Sequence, residues 1–211
     1  FTFYSSLAHL PIGVAVTIEF IGPLSLAAAL SRRWLDAVAV AAAAAGVVLI
    51  SEALSTPFAD LEKTGIALAL LAGAFWAAYI VLAGRTGGEF PKLEGLALAM
   101  VVATVVTLPL GITSAPSWSP DILLKAFGIA VLSSVLPYSL ELLALRRLSA
   151  KVFGILLSLE PAFAALAGLL VLGQVLSPTQ LVGMALVVAA SALVLGLGAR
   201  QRPDPAEAAS T

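Results

Sequence analysis

The chain has no cysteine. That excludes disulfides, thiol nucleophiles and thiolate metal sites, and leaves the compartment open. Its one histidine, His9, cannot build a metal site alone. It falls in a turn between apolar runs, where it is expected to be solvated. A buried nucleophile–base pair would need an embedded imidazole. Neither a phosphate-cradling Walker loop nor a dinucleotide-type glycine pattern occurs, which argues against ATP-driven pumping and calls for no cofactor. Charged residues make up only 11% of the 211 residues, against about 25% in soluble chains. The net charge of −1 gives no electrostatic case for a nucleic-acid partner.

What is abundant is apolar. Hydrophobic residues reach 61% and mean hydropathy is +1.08, more apolar surface than one soluble core of this size can hide. The fold class that follows is an all-α integral membrane protein, with the lipid bilayer as its partner. A spanning helix needs roughly 20 apolar residues. Phe1–Ala8 is too short and reads as the remnant of a helix. Full spans are expected at Pro11–Leu30, Trp34–Ile50, Thr64–Ala83, Leu93–Ile112, Ile122–Leu145, Ala150–Leu172 and Pro178–Leu197. Residues 52–63 form a polar linker and 199–211 a disordered tail. Thr113–Asp121 is a turn with Trp118 as an interfacial anchor.

Basic residues sort by side. Alternate connections hold Arg32 and Arg33, Arg85 and Lys92, Arg146, Arg147 and Lys151, then Arg200 and Arg202; the opposite side has Lys63 and Lys125. The positive-inside rule puts the basic loops and the C-terminus in the cytoplasm and the 52–63 linker on the extracytoplasmic side.

An internal echo exists. A shift of 138 residues aligns Leu10 with Leu148, Val14 with Val152 and Pro23 with Pro161. The charge map runs these two helices in opposite directions, as an inverted repeat of five spans each requires. Residues 64–198 would be one repeat and 1–51 the remainder of another. With repeats of equal length, and with Phe as first residue, the chain is expected to lack about two and a half helices at its start.

Three embedded acids are candidate site residues. Glu160 lies about 15 Å deep, where a charge is costly and marks function by default. Pro161 cannot donate to the carbonyl of Leu157, which leaves an acceptor at a kink. Glu19 precedes Pro23, which frees the Glu19 carbonyl; carbonyl and carboxylate together could hold a cation. Glu141 shares a helical stripe with Tyr138 and Ser134, beside Pro137, which frees the Ser133 carbonyl. For Glu19 and Glu160 the alternative is a protonated carboxyl bonded to nearby backbone. For Glu141 it is a simple partnership with Arg146 or Arg147. The three acids sit on separate helices with no local cluster in sequence. Trp76 and Tyr79 form either core packing or a stacking wall for a solute. Gly65, Ala69, Gly73 and Ala77 form a small-residue stripe for close helix packing, and Gly154, Ser158 and Ala162 can do the same.

Leu10-Pro-Ile-Gly-Val-Ala-Val-Thr-Ile-Glu-Phe-Ile-Gly-Pro-Leu24, Ala74-Phe-Trp-Ala-Ala-Tyr-Ile80, Leu136-Pro-Tyr-Ser-Leu-Glu141 and Phe153-Gly-Ile-Leu-Leu-Ser-Leu-Glu-Pro161 together resemble the drug/metabolite transporter superfamily (EamA-type), and within it the threonine/homoserine-exporting branch. The resemblance covers essentially the whole chain. It implies ten helices in two inverted five-helix repeats, and a secondary transporter in the bacterial inner membrane rather than an enzyme. The implied partners are a small amino acid or related metabolite and protons, exchanged by antiport; oligomeric state is left open. Other metabolite or drug classes on the same fold, and a membrane-embedded enzyme, are the alternatives. Gly173-Gln174 departs from the Gly-Glu common in the superfamily, so no carboxylate role carries over there. No Lys or Arg stands at mid-depth to meet a solute carboxylate.

Overall fold

A computed structural model describes residues 1–113 and 118–199. The expected disordered tail from Arg200, its two arginines and part of the Thr113–Asp121 turn lie outside the described residues. All regular elements among the described residues are helical. They are α1 Thr2–Ser6, α2 Ile12–Ala29, α3 Trp34–Ile50, α4 Lys63–Glu89, α5 Glu94–Ile112, α6 Pro120–Ala130, α7 Leu136–Leu145, α8 Ala150–Leu156, α9 Glu160–Leu172 and α10 Pro178–Ala199. A π turn, Val131–Val135, joins α6 to α7, and a 3-10 turn, Leu157–Leu159, joins α8 to α9.

Five helical stretches are long and apolar enough to cross a membrane: Ile12–Ala29, Lys63–Arg85, Pro120–Leu145, Ala150–Leu172 and Pro178–Gly196. The other two expected spans are the shorter apolar helices Trp34–Ile50 and Glu94–Pro109. At 17 residues, α3 stands at the lower end of what can span a bilayer. The main boundary difference is α4. The sequence suggests a loop from Gly84, yet the helix runs on to Glu89, because three glycines alone do not stop a helix whose preceding turns are already formed.

Prolines act differently in each helix. Pro23 sits inside a continuous α2. Pro161 falls in the first turn of α9, where its missing N–H is harmless, and the strain is taken up by the 3-10 turn before it. Pro137 likewise opens α7, after the π turn. Ser139 donates back to the Val135 carbonyl at 2.6 Å, so one acceptor of that irregular stretch is satisfied by a hydroxyl.

The described residues form two compact units, 1–80 with 150–199, and 81–149. In the first, α3 and α10 make the most extensive helix pair. They run antiparallel: Gly183 meets the C-terminal end of α3 at Gly46 and Ile50, while Val187, one turn on, meets Gly46. The core is built from Phe20, Leu24, Ala27, Ala39, Ala43, Val47, Ile50, Ile155, Ala162, Val187, Ala190 and Val194. Small residues dominate because lipid tails offer no hydrophobic drive for helix association; close backbone approach and van der Waals packing must supply it. A second cluster joins Leu10, Val14 and Ala15 of the α2 end to Ala69 of α4. There Gly65 abuts His9 and Leu10, and Gly73 meets Gly22 backbone to backbone. Gly65, Ala69 and Gly73 thus pack as the four-residue stripe suggests. In the second unit, α5 to α7 carry exposed apolar faces, including Val101, Val105, Leu124 and Phe127. Arg146 donates to the carbonyls of Phe90 and Lys92.

Gly46 tests the packing argument. A Cβ there would stand 2.5 Å from Val187 Cγ1 and 2.8 Å from the Gly183 carbonyl oxygen. Gly46→Val is expected to destabilise the protein by about 1–3 kcal/mol through overpacking. Gly128→Ala, which meets open space inside α6, should not destabilise the protein and at most raises its stability by the helix preference of Ala over Gly, up to about 1 kcal/mol. Thermal unfolding of the full-length protein in detergent reads both.

Candidate functional site

The first unit brings two of the candidate acids together. Gly154 of α8 packs on α2: a Cβ there would lie 2.8 Å from the Pro23 carbonyl oxygen and 3.4 Å from Ala27 Cβ. Further along the same polypeptide, Glu160 lies within electrostatic reach of Glu19. Rising numbers on α8–α9 therefore meet falling numbers on α2, and the two helices cross antiparallel. The acids that are scattered in sequence are neighbours in space, which corrects the expectation of no local clustering. The cause is tertiary: two helices far apart in the chain are tied at a glycine. Glu19 is half-buried and Glu160 exposed.

One feature differs from expectation, and one choice narrows. The Glu19 carbonyl, freed by Pro23, does not stand open beside its own carboxylate. It packs against Gly73 of α4, where a Cβ would sit 2.5 Å away. Trp76 stacks edge-on to Phe20, with ring centroids 5.1 Å apart at 78°, and packs against the main core. This is the packing role of the two left open for it. Tyr79 is half-buried, one turn further along α4.

Glu141, Tyr138 and Ser134 belong to the second unit. Glu141 and Ser134 are half-buried there, and Tyr138 is exposed. The π turn ending one residue before α7 is the form taken by the ladder break at Pro137. Gly173, with φ 66°, caps α9 in the left-handed conformation, and the Gln174 N–H donates to the Gly168 carbonyl at 3.2 Å. The Gln174 side chain folds back on Gly168.

A groove of about 380 Å³ lies between α2 and α3, lined by apolar side chains with Thr17 and Ser25. No carboxylate lines it. Among the described residues no cluster of three His, Asp or Glu could hold a metal ion.

Sequence reading missed three polar ties. Asp36, in the first turn of α3, is 2% exposed. It accepts a hydrogen bond from Lys151 Nζ of α8 at 2.9 Å and backbone hydrogen bonds from Arg32 and Arg33. An acid one turn inside an Ala-rich apolar helix was the available signal. His9, expected to be solvated, pairs through Nδ1 with Glu62 at 2.8 Å. Ser177 donates to Glu52 at 2.9 Å and Gln180 to the Ile50 carbonyl at 3.3 Å, clasping the linker-side ends of α3 and α10.

Residues 63–196 match the EamA-like transporter family. The chain belongs to that family. Similar proteins include the threonine/homoserine exporter RhtA of Escherichia coli (strain K12) and that of Salmonella typhimurium (strain LT2). Each is 39% identical over 193 residues, covering 90% of this chain and 65% of the relative. The chain thus spans about 65% of the length of these curated relatives. A protein of known crystal structure superposes with a TM-score of 0.72 at 18% identity, over 93% of this chain and 72% of its own. That match supports the all-helical EamA-type fold.

The Trp76–Phe20 contact carries a prediction. Trp76→Ala is expected to lose about 1 kcal/mol from the ring pair alone, seen as a lower unfolding temperature. Trp76→Phe, which keeps an aromatic edge, should recover much of it.

Proposed function

We propose that this EamA-like chain is part of a secondary transporter that exports a small amino acid of the threonine or homoserine kind, by proton antiport across the bacterial inner membrane. The observation that carries the reading is that the antiparallel crossing of α2 and α8 brings Glu19 and Glu160, two acids in apolar helices, within electrostatic reach of one another. Two carboxyls within electrostatic reach of one another in apolar helices resist being ionised at once. A pair of this kind takes up one cation, either H⁺ or the ammonium of an amino acid, and so couples the two fluxes. The names of the similar proteins support the solute class.

In the same reading, residues 1–51 and 64–198 belong to two inverted repeats joined by the 52–63 linker. The antiparallel self-meeting of α2 with α8 and of α3 with α10 supports this. A 138-residue shift places α2 on α8–α9 and α3 on the start of α10, and a two-fold axis in the membrane plane brings equivalent helices face to face. The basic loops and the C-terminus lie in the cytoplasm. Tyr138, Ser134, Glu141 and Tyr79 are further solute-lining candidates, and Pro23, Pro137 and Pro161 are the helix-kink positions.

The test is flux of labelled threonine and homoserine into proteoliposomes of the full-length protein, with and without a pH gradient. Gradient-driven flux is expected for the wild type. Glu160→Gln should reduce it about ten- to a hundredfold, the worth of one charge-assisted contact of about 1.5–3 kcal/mol. Flux that ignores both the gradient and Glu160→Gln would refute the coupling.

A further inference from the structure

Three polar or tight contacts follow one another along α8 and into α9. Lys151 holds the buried Asp36 of α3. One turn later, Gly154 lies against the Pro23 carbonyl of α2 with no room for even a methyl group between. Beyond the 3-10 turn, Glu160 lies within electrostatic reach of Glu19. Anything approaching the two carboxyls from the Lys151 end between α2 and α8 meets the Gly154–Pro23 contact, which is closed. Opening that path means lifting α8 off α2. Lys151 ties the start of α8 to the start of α3, which follows directly on α2 through the short 30–33 connection, so lifting α8 away from this pair of helices requires the ion pair to part.

We propose that the Asp36–Lys151 ion pair is the latch of a gate at this end of the α2–α8 crossing, and that it parts and re-forms in each transport cycle. The inference rests on the reading of the protein as a transporter. Leaving one partner of a buried pair unmatched is strongly unfavourable, so the pair favours the closed state. Its position at the start of α8, where the side chain of Lys151 is a quarter exposed, lets water reach the ammonium and ease the separation. Leu157–Leu159, with its weaker hydrogen-bond geometry, is where α8 bends relative to α9. Ser158 on that turn is fully buried and donates to the Ile155 carbonyl at 2.6 Å, so labelling it requires the end of α8 to part from the helices packed on the turn, α3 among them.

The experiment uses the full-length protein in a background without other cysteines; residues 1–211 contribute none. Asp36→Cys/Lys151→Cys is joined with a short bifunctional thiol reagent in proteoliposomes. Locking should cut threonine flux at least about tenfold, because one of the two states is removed, and cleavage of a reducible linker should restore it. Flux within about twofold of the unlinked protein would overturn the gate. A second measurement leaves the pair in place: thiol labelling of Ser158→Cys. Adding Asp36→Asn should speed labelling at least about tenfold, and adding Lys151→Arg, which keeps the pair, should not. Equal rates in all three would also overturn it. Wild-type protein that moves no amino acid would refute the transport reading instead, and the labelling rates would still decide whether this end opens.

Discussion

Contact between helix backbones at glycine is the constraint on which the described structure depends. In lipid, packing two apolar helices gains little by removing surface from solvent, because the solvent is itself hydrocarbon. What remains is dispersion, weak Cα–H···O contact and the exclusion of lipid, all of which need short distances. Gly22 on Gly73, Gly46 on Gly183, and Gly154 on Pro23 supply those distances. Each of the three contacts fixes one helix crossing, and the crossings fix which side chains meet. Glu19 faces Glu160 because Gly154 lets α8 sit down on α2. Asp36 meets Lys151 for the same reason, one turn the other way.

Polar ties then stand at the ends of the helices rather than along them. His9–Glu62 and Ser177–Glu52 lie by the 52–63 linker, and Asp36–Lys151 lies where α3 and α8 begin. This division follows from cost. A charge pair near a helix end keeps partial access to water, whereas one at mid-depth pays desolvation on both partners. Among the described residues of the first unit, Glu19 and Glu160 stand along their helices instead, and they are the acids on which the proposed transport rests.

Much of this was legible beforehand. Apolar runs of spanning length located the helices to within a residue or two in most cases, because hydropathy is a local property. The small-residue stripe on α4 announced its partner face. Glu19 and Glu160 stood out as acids in apolar runs. The pairing of Asp36 with Lys151 was hidden, since 115 residues separate them and only the tertiary crossing joins them. The fate of the Glu19 carbonyl was hidden too: sequence tells that Pro23 frees it, but not that Gly73 covers it. The extension of α4 through Gly84 failed for a local reason, glycine being a weak breaker once a helix is running.

The 3-10 turn between α8 and α9 has a rotational meaning. Each of its residues turns the chain by about 120° and advances it by about 2.0 Å, against about 100° and 1.5 Å in an α-helix. Over Leu157–Leu159 that adds roughly 60° of azimuth and 1.5 Å of length relative to an unbroken α-helix. Rewinding those three residues would swing Glu160 around the helix axis by about a sixth of a turn, away from the side on which it now meets Glu19. The turn is therefore a screw thread as well as a bend: a change in winding at one end of α9 is converted into a change in which neighbour its first carboxylate faces.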